Sequence, residues 1–417
     1  MKKTIKDSCI NEFDPNALEE IQAINKIVGT IKSIKTTEKV NIKDALHRTI
    51  SSTVRASINV PSFRNSAMDG YALNLNDLKL NKFQLSEVGV SLAGKPFQSP
   101  LRKGETIRVM TGALIPKNAD AVVMKEMVSR KDTLINFTQH IKKNQNIRFI
   151  GEDIRKGKIV FKKGDELNFS GLSILSSLGI EYVNVFCKPK ISYFSSGDEL
   201  VPTGKKLQQG QIYDSNRYLL HGLLKDLPVS FSDLGIVKDK KTHLVKKLER
   251  ASRISDIIIT TGGVSVGDAD YIKDALKEVG SIRFWKIAIK PGRPLAFGKI
   301  NSCYFFGLPG NPVSAAVTFQ LFVIPAINKI LSQKSQKAIL IKAISKSKLK
   351  KKLGRTEYKR AIMSINNNQI YVETTGLQGS NIMMSMLKAN CYIRLSTDVS
   401  DVREGDTVEV IPFSNKI

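Results

Sequence analysis

The chain is poor in the residue types that build disulfide frameworks, zinc knuckles and stacking platforms. Its 417 residues include only four cysteines, four histidines and one tryptophan, and aromatic residues make up 7%. The cysteines lie far apart, and neither they nor the histidines show a metal-binding spacing. This pattern argues against a disulfide-stapled or zinc-bound module. Few aromatics also means no evident platform for stacking single-stranded nucleic acid.

We also expect no signal peptide and no membrane-spanning hydrophobic run. The N-terminal stretch MKKTIKDSCINEF has no apolar core of the kind that signal peptides carry. The longest apolar segment, Val313 to Ile327, covers about fifteen residues, contains the polar Thr318 and Gln320, and is short for a bilayer span. We therefore expect a cytoplasmic protein that has no membrane partner.

Positive charge is what the chain has in excess, with a formal net charge of +27. Such a field attracts nucleic acid, anionic membranes or small anionic substrates. The lysines are spread along a chain that is also rich in isoleucine and asparagine, so a general compositional bias accounts for most of the excess. We expect small anionic substrates and no nucleic acid. A nucleic-acid-binding protein is the alternative from a different class, and it requires a localised basic patch.

The length of 417 residues predicts two to four domains. Early in the chain, the spacing predicts a helix from Asn16 to Val28 that is capped by Asn16 and ended by Gly29, and a helix-like piece, IKDALHRTI. Residues 74–126 read mostly as strands separated by turns. A helix from Ser170 to Leu178, capped by Ser170, follows.

Strands and helices alternate from Lys188 to about Leu331, which predicts a doubly wound α/β domain with a mainly parallel sheet. The predicted strands are 191–195, 230–235, 256–260, 282–289 and 303–308, and the predicted helices are 216–225, 241–252, 271–279 and 313–331. The lysine- and serine-rich stretch from Ser332 begins a new region. Its strand-like pattern predicts a small β-barrel or sandwich.

The stretch DIIITTGGVSVGDADYIKD, from Asp256 to Asp274, is the most informative part of the chain. A β-branched run, a glycine-rich turn and a helix start follow one another, which is the geometry that presents backbone N–H groups to an anion. Asp268 and Asp270 would repel a phosphate unless a cation lay between them. Mg²⁺ suits such carboxylates, although either residue alone is as readily a helix cap.

Two further loops follow predicted strands, at Ser195 to Glu199 and at Pro309 to Pro312. In a parallel sheet such loops meet at the carboxyl edge, where ligands bind. The second loop ends in an Asn311-Pro312 pair, which predicts a cap and a first helical residue. Lys286 and Lys290 are four residues apart in an apolar run, so on one strand they would share a face, which favours phosphate or oxyanion binding over the alternative of a solvated edge face.

Together these segments resemble the molybdopterin molybdenumtransferase (molybdate-insertase) family and the corresponding domain of gephyrin. The resemblance covers Ala17 to Phe413 and rests on motifs that occur in order: VPSFRNSAMDGYA, MTGALIPKNADAVVM, GEDIRKG, SSGDEL, GQIYDSN, TTGGVSVGDADY, FWKIAIKPGRP, GLPGNPVSA, GRTEYKR and TGLQGS. The glycine-rich motif alone is also similar to molybdopterin adenylyltransferase, but the SAMDGYA and MTGA blocks favour the insertase. One departure is Asn118, where glycine is usual.

The resemblance implies a multidomain fold and an elongated homodimer whose site is completed by the partner's inserted domain. The implied domains are a discontinuous linker domain (16–57 and 150–186), an inserted β-rich domain (58–149), an α/β molybdopterin-binding domain (187–332) and a C-terminal β-barrel (333–417).

The resemblance also implies a reaction, the transfer of molybdate to adenylylated molybdopterin with Mg²⁺ and release of AMP. The implied catalytic residues are Asp69, Thr111, Asp153, Glu199, Asp239 and Asp270. The implied substrate-binding residues are Ser66, Gly262, Gly263, Ser265, Gly267, Lys286, Lys290, Arg293, Pro309, Gly310, Asn311, Pro312, Ser314 and Arg360. The implied metal ligands are Glu199, Asp268 and Asp270. The alternatives are the adenylyltransferase reaction, a tungstate-preferring paralogue and a non-catalytic scaffold.

Overall fold

The computed structural model describes residues 16–137, 140–263, 271–333 and 339–413. The helices within these ranges are α1 Glu20–Thr30, α2 Leu75–Leu80, α3 Phe169–Ser177, α4 Ser215–Lys225, α5 Lys241–Ile254, α6 Tyr271–Val279, α7 Pro312–Thr318, α8 Ile324–Ile330 and α9 Met383–Lys388. A π-helical turn, Phe319–Val323, joins α7 to α8.

The strands run from the N-terminal region to the end of the described chain. They are β1 Thr37–Asn41, β2 Val54–Arg55, β3 Asn65–Ser66, β4 Gly70–Leu73, β5 Gln84–Ser91, β6 Glu105–Val109, β7 Ala121–Met124, β8 Val128–Lys131, β9 Leu134–Phe137, β10 Ile147–Arg148, β11 Ile159–Phe161, β12 Tyr182–Phe186, β13 Lys190–Ser196, β14 Leu200–Val201, β15 Ile212–Tyr213, β16 Ser230–Val237, β17 Ile257–Thr261, β18 Ser281–Lys286, β19 Ile289–Lys290, β20 Pro294–Ile300, β21 Cys303–Leu308, β22 Ile341–Ser345, β23 Thr356–Asn366, β24 Gln369–Thr374, β25 Cys391–Leu395 and β26 Thr407–Pro412.

The first large sheet has six strands in the order β7-β4-β6-β5-β9-β8. Successive side chains of β4 alternate between its two faces, so Tyr71 and Leu73 join one buried cluster and Ala72 joins the other. The segments on either side of this sheet pair with each other, β1 with β12 and β2 with β11, both antiparallel. The chain therefore leaves a small unit, forms the six-stranded sheet, and returns to that unit.

The second large sheet is the α/β sheet, in the order β16-β13-β17-β21-β20-β18. Its first four strands are parallel and its last two are antiparallel to their neighbours. Every residue of β17 is buried, since Ile258 packs on the face covered by α5 and α6 while Ile257 and Ile259 pack on the other. Helices on both faces make this a doubly wound sheet, as the sequence predicts.

The C-terminal region closes into a barrel. Its strands run β23-β24-β22-β26-β25, and the pairing of β25 with β23 completes the ring. The short strand β19 comes from the α/β region. It pairs with β23 and places Lys290 opposite Glu357. Of the two sequence alternatives, barrel and sandwich, the barrel is confirmed. The predicted domain bounds themselves stay a prediction.

Three expectations about the early helices are wrong. Helix α1 begins at Glu20 because the preceding chain is extended, with the Leu18 N–H donating to the Lys286 carbonyl, and it continues past Gly29. The helical part of the segment IKDALHRTI is only a 3-10 turn, Ile42–Asp44, and the segment ends in bridges from Thr49 and Ile50. The cap of α3 is Asn168, whose side chain accepts a hydrogen bond from the Gly171 N–H, rather than Ser170.

Two expectations about the α/β region also need correction. The predicted strand 282–289 ends at Lys286, because the Ile287 N–H turns to the Arg293 carbonyl, and a further strand, β20, follows the Gly-Arg-Pro turn where the sequence predicts none. The apolar helical run spans Pro312–Ile330, which by length and composition could cross a membrane. In this fold 67% of it is buried, as in a core helix.

Candidate active site

The ends of three parallel strands meet at the carboxyl edge of the α/β sheet. The Ser195 hydroxyl donates to Asp214 Oδ1 at 3.0 Å and lies 3.1 Å from the Thr261 hydroxyl. These contacts join the ends of β13 and β17. A Cβ added to Gly310 would lie 3.7 Å from the Gly262 Cα, so the loop after β21 lies beside that after β17. The predicted meeting of these loops is confirmed.

Buried polar atoms without partners lie at the same edge. Asp214 caps α4 through Oδ1, which accepts from the Arg217 N–H at 3.1 Å, and the Asn216 side chain donates to the Gly310 carbonyl at 2.6 Å. Among the described residues no hydrogen-bond partner exists for four buried atoms: Ser196 Oγ, Asp214 Oδ2, Asn216 Oδ1 and Thr260 Oγ1. Unsatisfied buried groups are costly and mark sites where a further polar partner is needed.

Sequence reasoning missed a role for Asp214 and Asn216, although both belong to the GQIYDSN motif. The available signal was an aspartate and an asparagine at the start of a helix that precedes a strand of the sheet.

The glycine-rich turn after β17 depends on its glycines. Gly262 and Gly263 have φ angles of +86° and +64°. A Cβ on Gly262 would lie 2.5 Å from the Ser196 carbonyl oxygen, closer than real contacts allow. The turn therefore packs directly against the end of β13. The remaining predicted residues of this loop, Ser265, Gly267, Asp268 and Asp270, lie outside the described residues.

Replacing Gly262 with alanine is expected to destabilise the α/β region by about 2–4 kcal/mol, because both the positive φ and the backbone clash add to the cost. The matched control is Gly235→Ala, in the same sheet with φ +79° and nothing within 4 Å of the added carbon. It should cost only about 1 kcal/mol. Urea unfolding followed by the fluorescence of Trp285 measures both variants. Equal losses would contradict the close packing.

Two predicted acidic residues lie on neighbouring loops. The Glu199 carboxylate folds back over Gly197, where an added Cβ would lie 2.6 Å from Oε2. The Asp239 N–H donates to Asp198 Oδ1 at 3.2 Å, which ties the loop after β16 to the loop after β13. Both residues thus lie on loops at the strand-end edge.

The predicted cationic residues are not aligned on one strand, which corrects the expectation for Lys286 and Lys290. Lys286 ends β18, whereas Lys290 belongs to β19 and its Nζ lies 3.4 Å from Glu357 Oε1. Arg293 follows in the same turn. This turn packs on α7, since a Cβ on Gly292 would lie 2.6 Å from Thr318 Cγ2.

The loop after β21 contacts the barrel. Asn311 precedes α7, but its side chain makes no cap. It donates instead to the Ser380 hydroxyl at 2.9 Å, which corrects the predicted capping role. Pro312 does occupy the first turn as predicted, and Pro309 and Ser314 are buried.

Arg360 lies beneath the barrel loop that reaches this edge. Its side chain is 1% exposed; Nε donates to the Ser385 hydroxyl at 3.0 Å and Nη2 to the Gly379 carbonyl at 2.9 Å. Burial lowers the pKa of the guanidinium, and no carboxylate within the described ranges forms an ion pair with it. A buried cation without a counter-ion is suited to bind an anion. Sequence reasoning missed Ser385 and Gly379 because they join Arg360 only through the fold.

Asp69 and Thr111 form a second polar group, on loops that adjoin strands β4 and β6 of the first large sheet. Asp69 Oδ1 accepts from both the N–H and the hydroxyl of Thr111, each at 2.8 Å. These bonds, the backbone one first, lower the pKa of the Asp69 carboxyl. The buried Ser66 hydroxyl donates to the Met68 carbonyl within the same loop, so Ser66 supports the loop.

Replacing Thr111 with valine removes one of these donors and is expected to raise the pKa of Asp69 toward its ordinary value. A depressed pKa keeps the carboxylate ionised as the pH falls, so any activity that needs it should fail at a higher pH in the variant. Carboxyl ¹³C NMR titration measures the shift. Thr106→Val, which removes a hydroxyl that donates to the Ala72 carbonyl of the same sheet, should leave the Asp69 pKa unchanged.

Asp153 borders an open cavity of about 450 Å³, together with Gly151, Glu152, Arg155 and Lys158. In the part of the chain that the structure describes, no hydrogen bond or ion pair joins Asp69, Thr111 or Asp153 to the strand-end loops. The described part of the chain thus does not link these three predicted residues to the strand-end site through polar contacts.

Comparison with known families matches three regions of the chain. Residues 16–179 match the MoeA N-terminal region (domain I and II), residues 193–329 match a probable molybdopterin binding domain, and residues 342–413 match the MoeA C-terminal region (domain IV).

Individual relatives match over nearly the whole length. The chain is 44% identical to a molybdopterin molybdenumtransferase of Haemophilus influenzae, covering 94% of this chain and 98% of that protein. It is 33% identical to a putative molybdopterin biosynthesis protein of Methanocaldococcus jannaschii, covering 96% and 98%. Among solved structures, the molybdopterin biosynthesis moeA protein of Pyrococcus horikoshii superimposes with a TM-score of 0.82 at 29% identity, covering 95% and 100%.

Proposed function

This chain belongs to the molybdopterin molybdenumtransferase family, enzymes of molybdenum cofactor biosynthesis, and from that premise we propose that it transfers molybdate to adenylylated molybdopterin and releases AMP. The observation that carries the proposal is Arg360, a buried guanidinium with no carboxylate partner among the described residues, beside the strand-end loops. A tetrahedral oxyanion such as molybdate fits its hydrogen-bonding capacity. Lys290, on a strand that pairs with the strand of Arg360, adds a second positive charge to the proposal.

The carboxyl edge of the α/β sheet is proposed to bind the pterin and nucleotide part of the substrate. The glycine-rich turn brings backbone close to the end of β13, and the unpartnered atoms of Ser196, Asp214 and Asn216 lie at that edge. Buried acceptors of this kind suit the N–H groups of a heterocycle, and a glycine turn suits a phosphate. This edge is therefore proposed to hold the nucleotide-linked pterin.

Mg²⁺ is part of the proposal. The donor chemistry fits, because Glu199 and Asp239 lie on adjoining loops and carboxylate oxygens are the ligands that Mg²⁺ prefers. Asp268 and Asp270 are the further ligand candidates from the sequence. When bound, the cation would offset negative charge on the phosphoanhydride. The residues of the chain bind and orient the substrate around it.

The proposal includes a homodimer in the cytoplasm. Because Asp69, Thr111 and Asp153 have no hydrogen bond or ion pair to the strand-end loops within the described residues of their own chain, a second copy is proposed to bring them to the site. In a two-fold dimer each site would then be shared between subunits.

Incubating the purified protein with adenylylated molybdopterin, molybdate and Mg²⁺ tests the proposal. AMP release that depends on molybdate, together with reconstitution of an apo-molybdoenzyme, is the expected result. Pyrophosphate formed from ATP and molybdopterin would point to the adenylyltransferase reaction instead. A tungstate arm distinguishes the choice of oxyanion. No molybdate-dependent AMP in any arm would overturn the assignment.

A further inference from the structure

Glu357 is a buried carboxylate shared between two lysines. It is 5% exposed on β23, directly opposite Lys290 of β19. Its Oε2 lies 3.0 Å from Lys359 Nζ, and its Oε1 lies 3.4 Å from Lys290 Nζ. Burying a carboxylate is costly unless it is paired with a cation, and Lys359 is by itself sufficient for that pairing.

The two lysines differ in their surroundings. The Lys359 side chain is 13% exposed and also donates to the Lys350 carbonyl at 3.2 Å, so it is fixed in place. The Lys290 side chain is 55% exposed, and its contact with Glu357 is the longer one. Lys290 is thus tethered at one point and keeps donors for another partner.

The neighbourhood of Glu357 has more positive than negative charge. Buried Lys351 lies close enough to interact with both Glu357 and Lys359, and it donates to the Val399 carbonyl at 2.6 Å. Lys359 neutralises the carboxylate, so Glu357 can restrain Lys290 without presenting an unbalanced negative charge to an incoming anion.

We propose that Glu357 is a positioning residue for oxyanion binding, acting through Lys290. A lysine side chain loses rotamer freedom when it binds a ligand, and a tether that already restricts it reduces that cost. The Lys290 ammonium is then in place when the oxyanion arrives. This inference rests on the proposed role of Lys290 in the transfer of molybdate.

The test is Glu357→Gln, which keeps the shape of the side chain and removes its charge. We expect the KM for molybdate to rise about fivefold while kcat changes less than about twofold, since the tether acts on binding. The matched control is Glu409→Gln, which breaks a 3.0 Å ion pair with Arg394 in the same barrel and should leave both constants unchanged. Glu357→Asp, which keeps the charge on a shorter side chain, should give a smaller rise in KM.

A double-mutant cycle separates positioning from support of the fold. Equilibrium dialysis of molybdate is measured for wild type, Glu357→Gln, Lys290→Ala and the double variant. If Glu357 acts through Lys290, its replacement has no further effect once Lys290 is alanine. An equal loss of affinity in both backgrounds, or no loss in either, would overturn the inference. Failure of the wild type to release AMP would instead overturn the proposed function, so the two failures are distinguishable.

Discussion

Replacing Arg360 with lysine is expected to lower kcat/KM for molybdate about a hundredfold, although the substitution conserves the positive charge. The guanidinium donates at the same time to Ser385 and to the Gly379 carbonyl, which fixes its plane. An ammonium is a point charge on a flexible stem and cannot reproduce this forked arrangement. The barrel would keep a buried cation whose position is no longer defined.

The control for Arg360→Lys is the same substitution at Arg130, whose Nη1 lies 3.2 Å from Glu87 Oε2 in the first large sheet. The Arg130 side chain is half exposed and lies outside the candidate site, so activity should be unchanged. Ser385→Ala provides a second variant that leaves Arg360 in place but removes the acceptor of its Nε–H, and it should give a smaller loss. Retention of full activity by Arg360→Lys would mean that the guanidinium only supports the barrel.

Mixing two inactive variants is expected to restore activity if each site is shared between subunits. Asp69→Asn alters the group in the first large sheet and Lys290→Ala alters the strand-end group, so a mixed dimer has one site with both defects and one with neither. After equal mixing and exchange, half of the dimers are mixed, and roughly 25% of wild-type activity should return. AMP release after denaturation and co-refolding measures the recovery.

Mixing Asp69→Asn with Asp153→Asn provides the matched control. Both residues are predicted to reach a site from the same subunit, so every site in a mixed dimer contains either the Asp69 or the Asp153 substitution, and no activity should return. No recovery in the first mixture would place each complete site within a single subunit, and recovery in this control would mean that Asp69 and Asp153 reach a site from different subunits.

Local sequence patterns predict a strand or helix well when the residues of that element themselves determine that it is buried. The β-branched run of β17 is fully buried, and the glycine turn after it has the positive φ angles that only glycine tolerates readily. Cap and stop signals are less reliable. Asn16 and Gly29 do not bound α1, because its start is set by pairing between Leu18 and the end of β18. A contact across more than two hundred residues leaves no local signal.

The same limit applies to the candidate site. The strand-end loops can be grouped from the sequence because parallel topology brings such loops to one edge. The hydrogen-bond partners of Arg360 cannot be identified from the sequence, since Ser385 and Gly379 approach it only when the barrel closes. The apolar run that contains Lys286 and Lys290 predicts one continuous strand up to the Pro-Gly turn, whereas the chain leaves the sheet before that turn.

The pairing of β19 with β23 has a consequence for how the protein forms during synthesis. Strand β19, which pairs with the barrel strand β23, is synthesised with the α/β region. The barrel itself closes only when β25 and β26 have been synthesised. Arg360 gains Ser385 and Gly379 late in that sequence of events. In a nascent chain, the residues of the earlier sheets are therefore present before Arg360 has the hydrogen-bond partners that fix its guanidinium.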